Sequence, residues 1–173
     1  MNTGNNVYYP LQEGFEWTYQ LKDGTIYSNK VLGNNPQNQN EYFMINSMMK
    51  KKQIVRKSGE GYYTDNYEAG TLHLFLKDNL TLHEEWEIKF KANGFDNILT
   101  MKVKEKGISK EVNKVIYHNV IQIEADSKML VNGNLMSLNF FTQYYYALGI
   151  GLILTTSSMG DSHTLISFSG EKP

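Results

Sequence analysis

Asn93-Gly94 lies between two runs that alternate apolar and polar residues, and this arrangement constrains the fold more than any other feature of the chain. Upstream, Trp86, Ile88 and Phe90 share one phase, and Glu85, Glu87, Lys89 and Lys91 share the other. Downstream, Leu99, Met101 and Val103 oppose Thr100, Lys102 and Lys104. A period of two puts each apolar set on one face of a strand. Asn-Gly supplies the two positive φ values of a tight hairpin.

The same pattern recurs along the chain. Phe15 to Leu21 alternates and ends at Asp23-Gly24, with a return strand over Thr25 to Leu32. Residues 34–40 read as a mobile polar loop. Strands are expected over Glu41 to Met48, Gln53 to Lys57, Tyr62 to Tyr67 and Thr71 to Leu76. Ile98 to Lys106 should end at a Lys106-Gly107 turn. Glu111 to Tyr117, Asn119 to Met129, Leu135 to Tyr146, Leu152 to Thr156 and His163 to Phe168 complete the set. Turn signals come about every 8–12 residues, and no window holds a helical period, which points to an all-β sandwich or barrel.

A chain of 173 residues can bury a sizeable core in one domain. The expected fold is all-β: a single curved, mainly antiparallel sheet of about 10–12 strands forming a half-barrel or barrel. One β domain covers residues 1–173, with 1–7 as a flexible N-terminal segment. Trp17, Tyr19, Trp86, Ile88, Phe90, Leu99, Met101 and Val103 should line the inner side. A short echo, Leu11-x5-Trp17-x-Tyr19 against Leu80-x5-Trp86-x-Ile88, is compatible with two related halves and equally with chance.

Several chemistries lose ground at this level. There is no cysteine, which removes disulfides, thiol catalysis and thiolate metal sites. The net charge is -1, so the basic footprint of a nucleic-acid binder is missing. His73, His83, His118 and His163 form neither HxH nor HExxH, and no metal site is expected. Gly149-Ile150-Gly151 lacks the third glycine of a dinucleotide loop, so no cofactor is expected. Ser158 to His163 reads as a turn rather than a triad, because triads assemble in space. The apolar part of FFTQYYYALGIGLILTT, Tyr144 to Thr156, falls short of the about 20 residues a spanning helix needs. It reads as two strands around a glycine corner. The basic cluster from Met48 to Lys57, with Tyr62 and Tyr63 close behind, reads as a lysine-rich edge or turn, with an anionic lipid surface or single-stranded nucleic acid as the alternatives. The opening MNTGNNVYYP has neither the basic nor the apolar region of a signal peptide.

Taken in order, several stretches resemble a broad group of largely uncharacterised exported proteins of Bacteroidetes. They are Tyr9-Pro10-Leu11-x2-Gly14-x2-Trp17-x-Tyr19, Leu80-x5-Trp86, Tyr117-His118-Asn119-Val120-Ile121, and Tyr145-Tyr146-Ala147-Leu148-Gly149-Ile150-Gly151-Leu152-Ile153. Leu148 stands where such proteins usually carry proline, and His83 where they often carry glycine. The resemblance implies a sheet similar to the half-barrel of lipoprotein-localisation factors, with an exported, periplasmic or outer-membrane-associated location. It brings no catalytic residues.

The resulting expectation is a non-catalytic, envelope-associated binding protein. Its apolar concave face would hold a lipid or other hydrophobic ligand through Trp17, Tyr19, Trp86, Ile88, Phe90 and Met101. The excess of aromatic residues and methionine motivates it, since methionine suits adaptable apolar cavities. A protein-interaction module built on tyrosine-rich strands is the alternative, and a hydrolase a third reading. The expected partner is a lipid, an apolar small molecule or a protein, not nucleic acid, and the chain is not expected to span a membrane.

Overall fold

A computed structural model describes residues 6–170. Its strands are β1 (Glu16–Leu21), β2 (Ile26–Asn35), β3 (Asn38–Asn46), β4 (Lys52–Ser58), β5 (Gly61–Glu68), β6 (Thr71–Lys77), β7 (Glu85–Ala92), β8 (Phe95–Val112), β9 (Val115–Val131), β10 (Asn134–Ala147), β11 (Gly151–Ser157) and β12 (Ser162–Phe168). They form one 12-stranded antiparallel sheet in the order β6-β5-β4-β3-β2-β1-β12-β11-β10-β9-β8-β7. Two up-and-down meanders, β1 to β6 and β7 to β12, are therefore joined where β1 pairs with β12. The expected all-β curved sheet is present as a nearly closed barrel.

The barrel has one seam, between β6 and β7. No backbone ladder crosses it, and side chains bridge it instead. Trp86 Nε1 donates to the Leu74 carbonyl at 3.0 Å, and His73 Nε2 donates to the Lys89 carbonyl at 2.8 Å. The Lys91 amide donates to Glu68 Oε1 at 2.7 Å. Each of these bonds satisfies an edge group that a ladder would otherwise have paired.

Alternation governs the wall as expected. On β7, Glu85, Glu87, Lys89 and Lys91 are exposed, Ile88 is buried, and Trp86 and Phe90 pack half-buried against the core. The tryptophans of the sequence echo stand in β1 and β7, the first strand of each meander. Each indole donates to a backbone carbonyl, Trp17 to Ile150 and Trp86 to Leu74.

Barrel width grows with strand number, and about eight strands already enclose space that their own side chains just fill. Twelve strands enclose more. Much of the surplus is filled by aromatic residues, which accounts for a large part of their abundance. Trp17, Tyr19, Tyr62 and Tyr146 are buried, and the N-terminal segment adds Tyr8 and Tyr9. The Tyr9 ring stacks on Trp17 at 5.3 Å and meets Phe75 edge-on at 5.8 Å.

Three expected boundaries give way. The polar loop over 34–40 is a tight connection, because β2 runs on to Asn35 and β3 starts at Asn38. Lys106-Gly107 does not turn the chain. Gly107, at φ +70, lies within β8, where the register to β9 shifts between Glu105 and Ile108. Glu111 to Tyr117 is a hairpin rather than a strand, with Val112 opposite Val115. Its turn residues Asn113 and Lys114 take φ +50 and +66, a tight hairpin geometry made without glycine. Of the expected flexible segment 1–7, residues 1–5 lie outside the described residues. Val7 is buried, and its carbonyl accepts the Gly149 amide at 2.7 Å.

Candidate functional site

In an up-and-down barrel the turns fall alternately at the two ends. One end carries the β2–β3, β4–β5, β8–β9 and β10–β11 connections and is closed by the segment that starts at Val7. Tyr8 donates its amide to Asp78 Oδ1 at 2.9 Å, on the stretch that follows β6. Val7 is held by Gly149 in the β10–β11 turn. Asp78 also accepts the Tyr62 hydroxyl at 3.0 Å and pairs with Lys57. These contacts tie the plug to both meanders.

The other end is open. A cavity of about 250 Å³ lies just inside it. Its apolar lining comes from Tyr9, Val55, Phe75, Tyr146 and Leu152, with Tyr67 and Tyr144 beside them. Asn29, Gln53, Thr64 and Asn66 form its polar side. The same three carboxamides also line an outer vestibule of about 280 Å³, together with Asn46, Met49 and Lys51. Strand register produces this grouping: Asn29 faces Asn46 across β2 and β3, and Asn46 Nδ2 donates to Asn29 Oδ1 at 2.9 Å.

The inner cavity is electrostatically neutral. Burial pushes the phenols of Tyr67, Tyr144 and Tyr146 above the ordinary tyrosine value, and neighbouring phenols add to this for Tyr67 and Tyr146. They therefore stay protonated hydrogen-bond donors. Carboxamides both donate and accept. Among the described residues lining the inner cavity there is no carboxylate and no histidine. Such a lining can recognise a ligand with an apolar part and a neutral polar part, and it offers no side chain suited to general acid–base work near neutral pH.

None of the six residues expected to bind a ligand lines this cavity. Trp17, Tyr19, Ile88 and Met101 are in the packed core, each at most 3% exposed. Trp17 backs the cavity by stacking on Tyr9. Trp86 is committed to the seam. Phe90 lines a separate outer groove of about 420 Å³ with Glu68, Lys89, Ile98 and Leu130. The cavity residues that sequence reasoning missed are mainly Asn29, Gln53 and Asn66. Their alternation phase was visible, but a carboxamide on a strand reads as solvent-facing until the sheet closes.

Three of the four histidine side chains take separate partners. His73 bonds the Lys89 carbonyl, His118 lies 2.8 Å from Ser109 Oγ, and His163 lies 2.6 Å from the Tyr27 hydroxyl. No group of three or more metal-ligating side chains occurs among the described residues. In the basic cluster, Arg56 pairs with Glu41 and Lys57 with Asp78, while Lys50, Lys51 and Lys52 are exposed around the β3–β4 turn. That turn is not a sheet edge, since β4 is paired on both sides. No helix among the described residues is long and apolar enough to cross a membrane.

Neither protein-family models nor curated proteins match this chain. Two solved structures share its fold. A candidate exported protein with a YmcC-like fold from Bacteroides fragilis aligns with a TM-score of 0.56 and 10% identity, over 95% of this chain and 99% of that one. A candidate lipoprotein from Parabacteroides distasonis aligns with a TM-score of 0.50 and 10% identity, over the same shares. At that identity the likeness is one of fold.

Proposed function

We propose that this protein is a non-catalytic, envelope-associated binding protein that holds a small lipid-like or other apolar molecule in the cavity at its open end. The observation that carries this reading is the pairing of two linings at one mouth. Tyr9, Phe75, Tyr146 and Leu152 present an apolar floor, and Asn29, Gln53 and Asn66 supply neutral polar contacts above it. The opposite end is closed by the plug on Asp78 and Gly149. A ligand would enter apolar end first and keep its polar head in the carboxamide vestibule.

Size limits the ligand. The inner cavity lies just under the range of about 300–1,000 Å³ typical of drug-sized sites, so the vestibule must take part. Exported or lipoprotein-like structural neighbours support an envelope setting. The tyrosine-rich docking surface fits less well, because Tyr9, Tyr19, Tyr67, Tyr144 and Tyr146 turn their rings into the core or the cavity.

Titration with the neutral fluorophore N-phenyl-1-naphthylamine tests the reading. It should bind saturably at one site per chain. Asn66→Trp, at an exposed rim position, should weaken binding about tenfold or more by filling the mouth. Equal binding by both proteins would place the probe elsewhere and count against the site.

A further inference from the structure

The rim of the open end is unusually apolar for a set of turns. Its tips expose Ile26 after the β1–β2 turn, Met48 and Met49 between β3 and β4, Phe95 after the β7–β8 turn, and Met159 between β11 and β12. The β9–β10 hairpin goes furthest. Leu130, Leu135, Met136 and Leu138 are 36–54% exposed. β10 pairs with β11 only from Thr142 onward, so its residues from Asn134 to Phe141 run beyond the end of β11. At about 3.4 Å per residue β10 overshoots β11 by roughly 20 Å or more, while on the other side of the hairpin β9 stays paired with β8 as far as Leu130.

Leu135 and Met136 are adjacent in a strand, so they point to opposite faces. Leu135 pairs with Leu130, and Met136 with Met129. Both faces of the lip are thus apolar. A folded partner laid against this sheet corner covers one face, whereas a hydrocarbon layer covers both. The chain carries no charged side chain between Lys128 and Asp161, so the tip of the lip is uncharged on its own strands, while at its base Lys128 and Asp126 pair with each other at 3.8 Å and Asp96 of β8 lies opposite Leu130. On the same rim, Met48 and Met49 precede exposed Lys50, Lys51 and Lys52, which form no ion pair among the described residues. Lys52 lies over the Phe43 ring at 4.5 Å, and the apolar pair followed by exposed Lys50 and Lys51 matches the layering of acyl chains beneath anionic headgroups.

We infer that this rim is a membrane-contact surface, with the β9–β10 lip inserting into the outer part of a bilayer and Lys50 to Lys52 resting on anionic headgroups. The open mouth then faces the lipid. The inference does not require the cavity to be occupied.

Flotation with vesicles tests it, comparing phosphatidylcholine alone with phosphatidylcholine containing one-fifth phosphatidylglycerol. The wild-type chain should float with the anionic vesicles. Leu135→Ser with Met136→Ser should reduce the bound fraction about tenfold, and Lys50→Glu with Lys51→Glu should abolish the preference for anionic vesicles. These positions are exposed, and an unchanged unfolding midpoint would show that the fold is kept. Flotation unaffected by either pair of substitutions would overturn the inference. So would an absence of vesicle binding together with a concentration-dependent dimer that the Leu135 and Met136 substitutions dissolve. Loss of the fluorophore site with flotation intact would count against the ligand reading alone.

Discussion

Trp17 and Gly151 interlock. The Trp17 indole donates to the Ile150 carbonyl at 2.7 Å, and a Cβ added to Gly151 would lie 2.9 Å from the same indole nitrogen. Gly151 also takes φ +111, a conformation that side chains disfavour. The contact joins β1 to the β10–β11 corner and backs the floor of the cavity. Gly151→Ala should therefore destabilise the barrel by about 3 kcal/mol, combining overpacking and backbone strain. Urea unfolding followed by tryptophan fluorescence measures this, and a change below about 1 kcal/mol would mean that the corner relaxes easily.

Asp78 should be the most sensitive polar position outside the cavity. Its side chain is 9% exposed and holds Tyr8, Tyr62 and Lys57 together. Asp78→Ala leaves the Lys57 ammonium and the Tyr8 amide without their acceptor. A loss of about 3–5 kcal/mol is expected, with protease cleavage near Tyr8 appearing before global unfolding. Cleavage no faster than in the wild type would mean that the plug is held by its aromatic packing alone.

The seam predicts a local effect. Trp86→Phe removes the indole donor and leaves the Leu74 carbonyl unpaired, at about 1–2 kcal/mol. Hydrogen exchange should quicken in β6 and β7, while the ladder between β1 and β12 keeps its protection. Uniform acceleration across all strands would show that the seam has no independent opening.

His83 carries a backbone conformation suited to another residue. It is exposed and takes φ +69, in the left-handed region that favours glycine. His83→Gly should stabilise the fold by about 0.5–1 kcal/mol, relief of the left-handed strain exceeding the extra freedom of the unfolded chain. A lower thermal midpoint would mean that the histidine makes a contact that outweighs the strain.

Acid should weaken the barrel partly through His163. Burial holds its imidazole below the ordinary value of 6.5, against the opposing effect of Asp161. The Tyr27 hydroxyl, its phenol pushed up to about 12 by burial, shares a hydrogen bond of 2.6 Å with Nδ1 of the ring. As pH falls through 6.5 the unfolded chain takes up a proton before the folded one. The contribution is complete above that value and is lost as pH falls toward the folded value. His163→Gln should flatten the slope of stability against pH just below 6.5. An unchanged slope would assign the acid sensitivity to carboxylates such as Glu41, whose hydrogen bonds from Arg56 and Asn35 outweigh burial and hold it low.

Legibility in the sequence followed local chemistry. Asn93-Gly94 and Asn132-Gly133 take the positive φ values their residues suggest, and β7 and the start of β8 follow their alternation. Asn113-Lys114 was illegible because its hairpin uses no glycine, and Gly107 misled because a glycine at positive φ marks a bulge as readily as a turn. The inward aromatic residues were visible, but their role depended on the strand count. In a 12-stranded barrel, Trp17 and Tyr19 fill space. The carboxamide side of the cavity became visible only with closure, which brings Asn29, Gln53 and Asn66 from three strands to one mouth.

The most direct measurement of the ligand reading is native mass spectrometry of the chain purified gently from its own cells. The prediction is one small-molecule adduct per chain, present in the wild type and absent from Asn66→Trp. The bare mass of the chain in both proteins, from preparations that retain their fold, would contradict it.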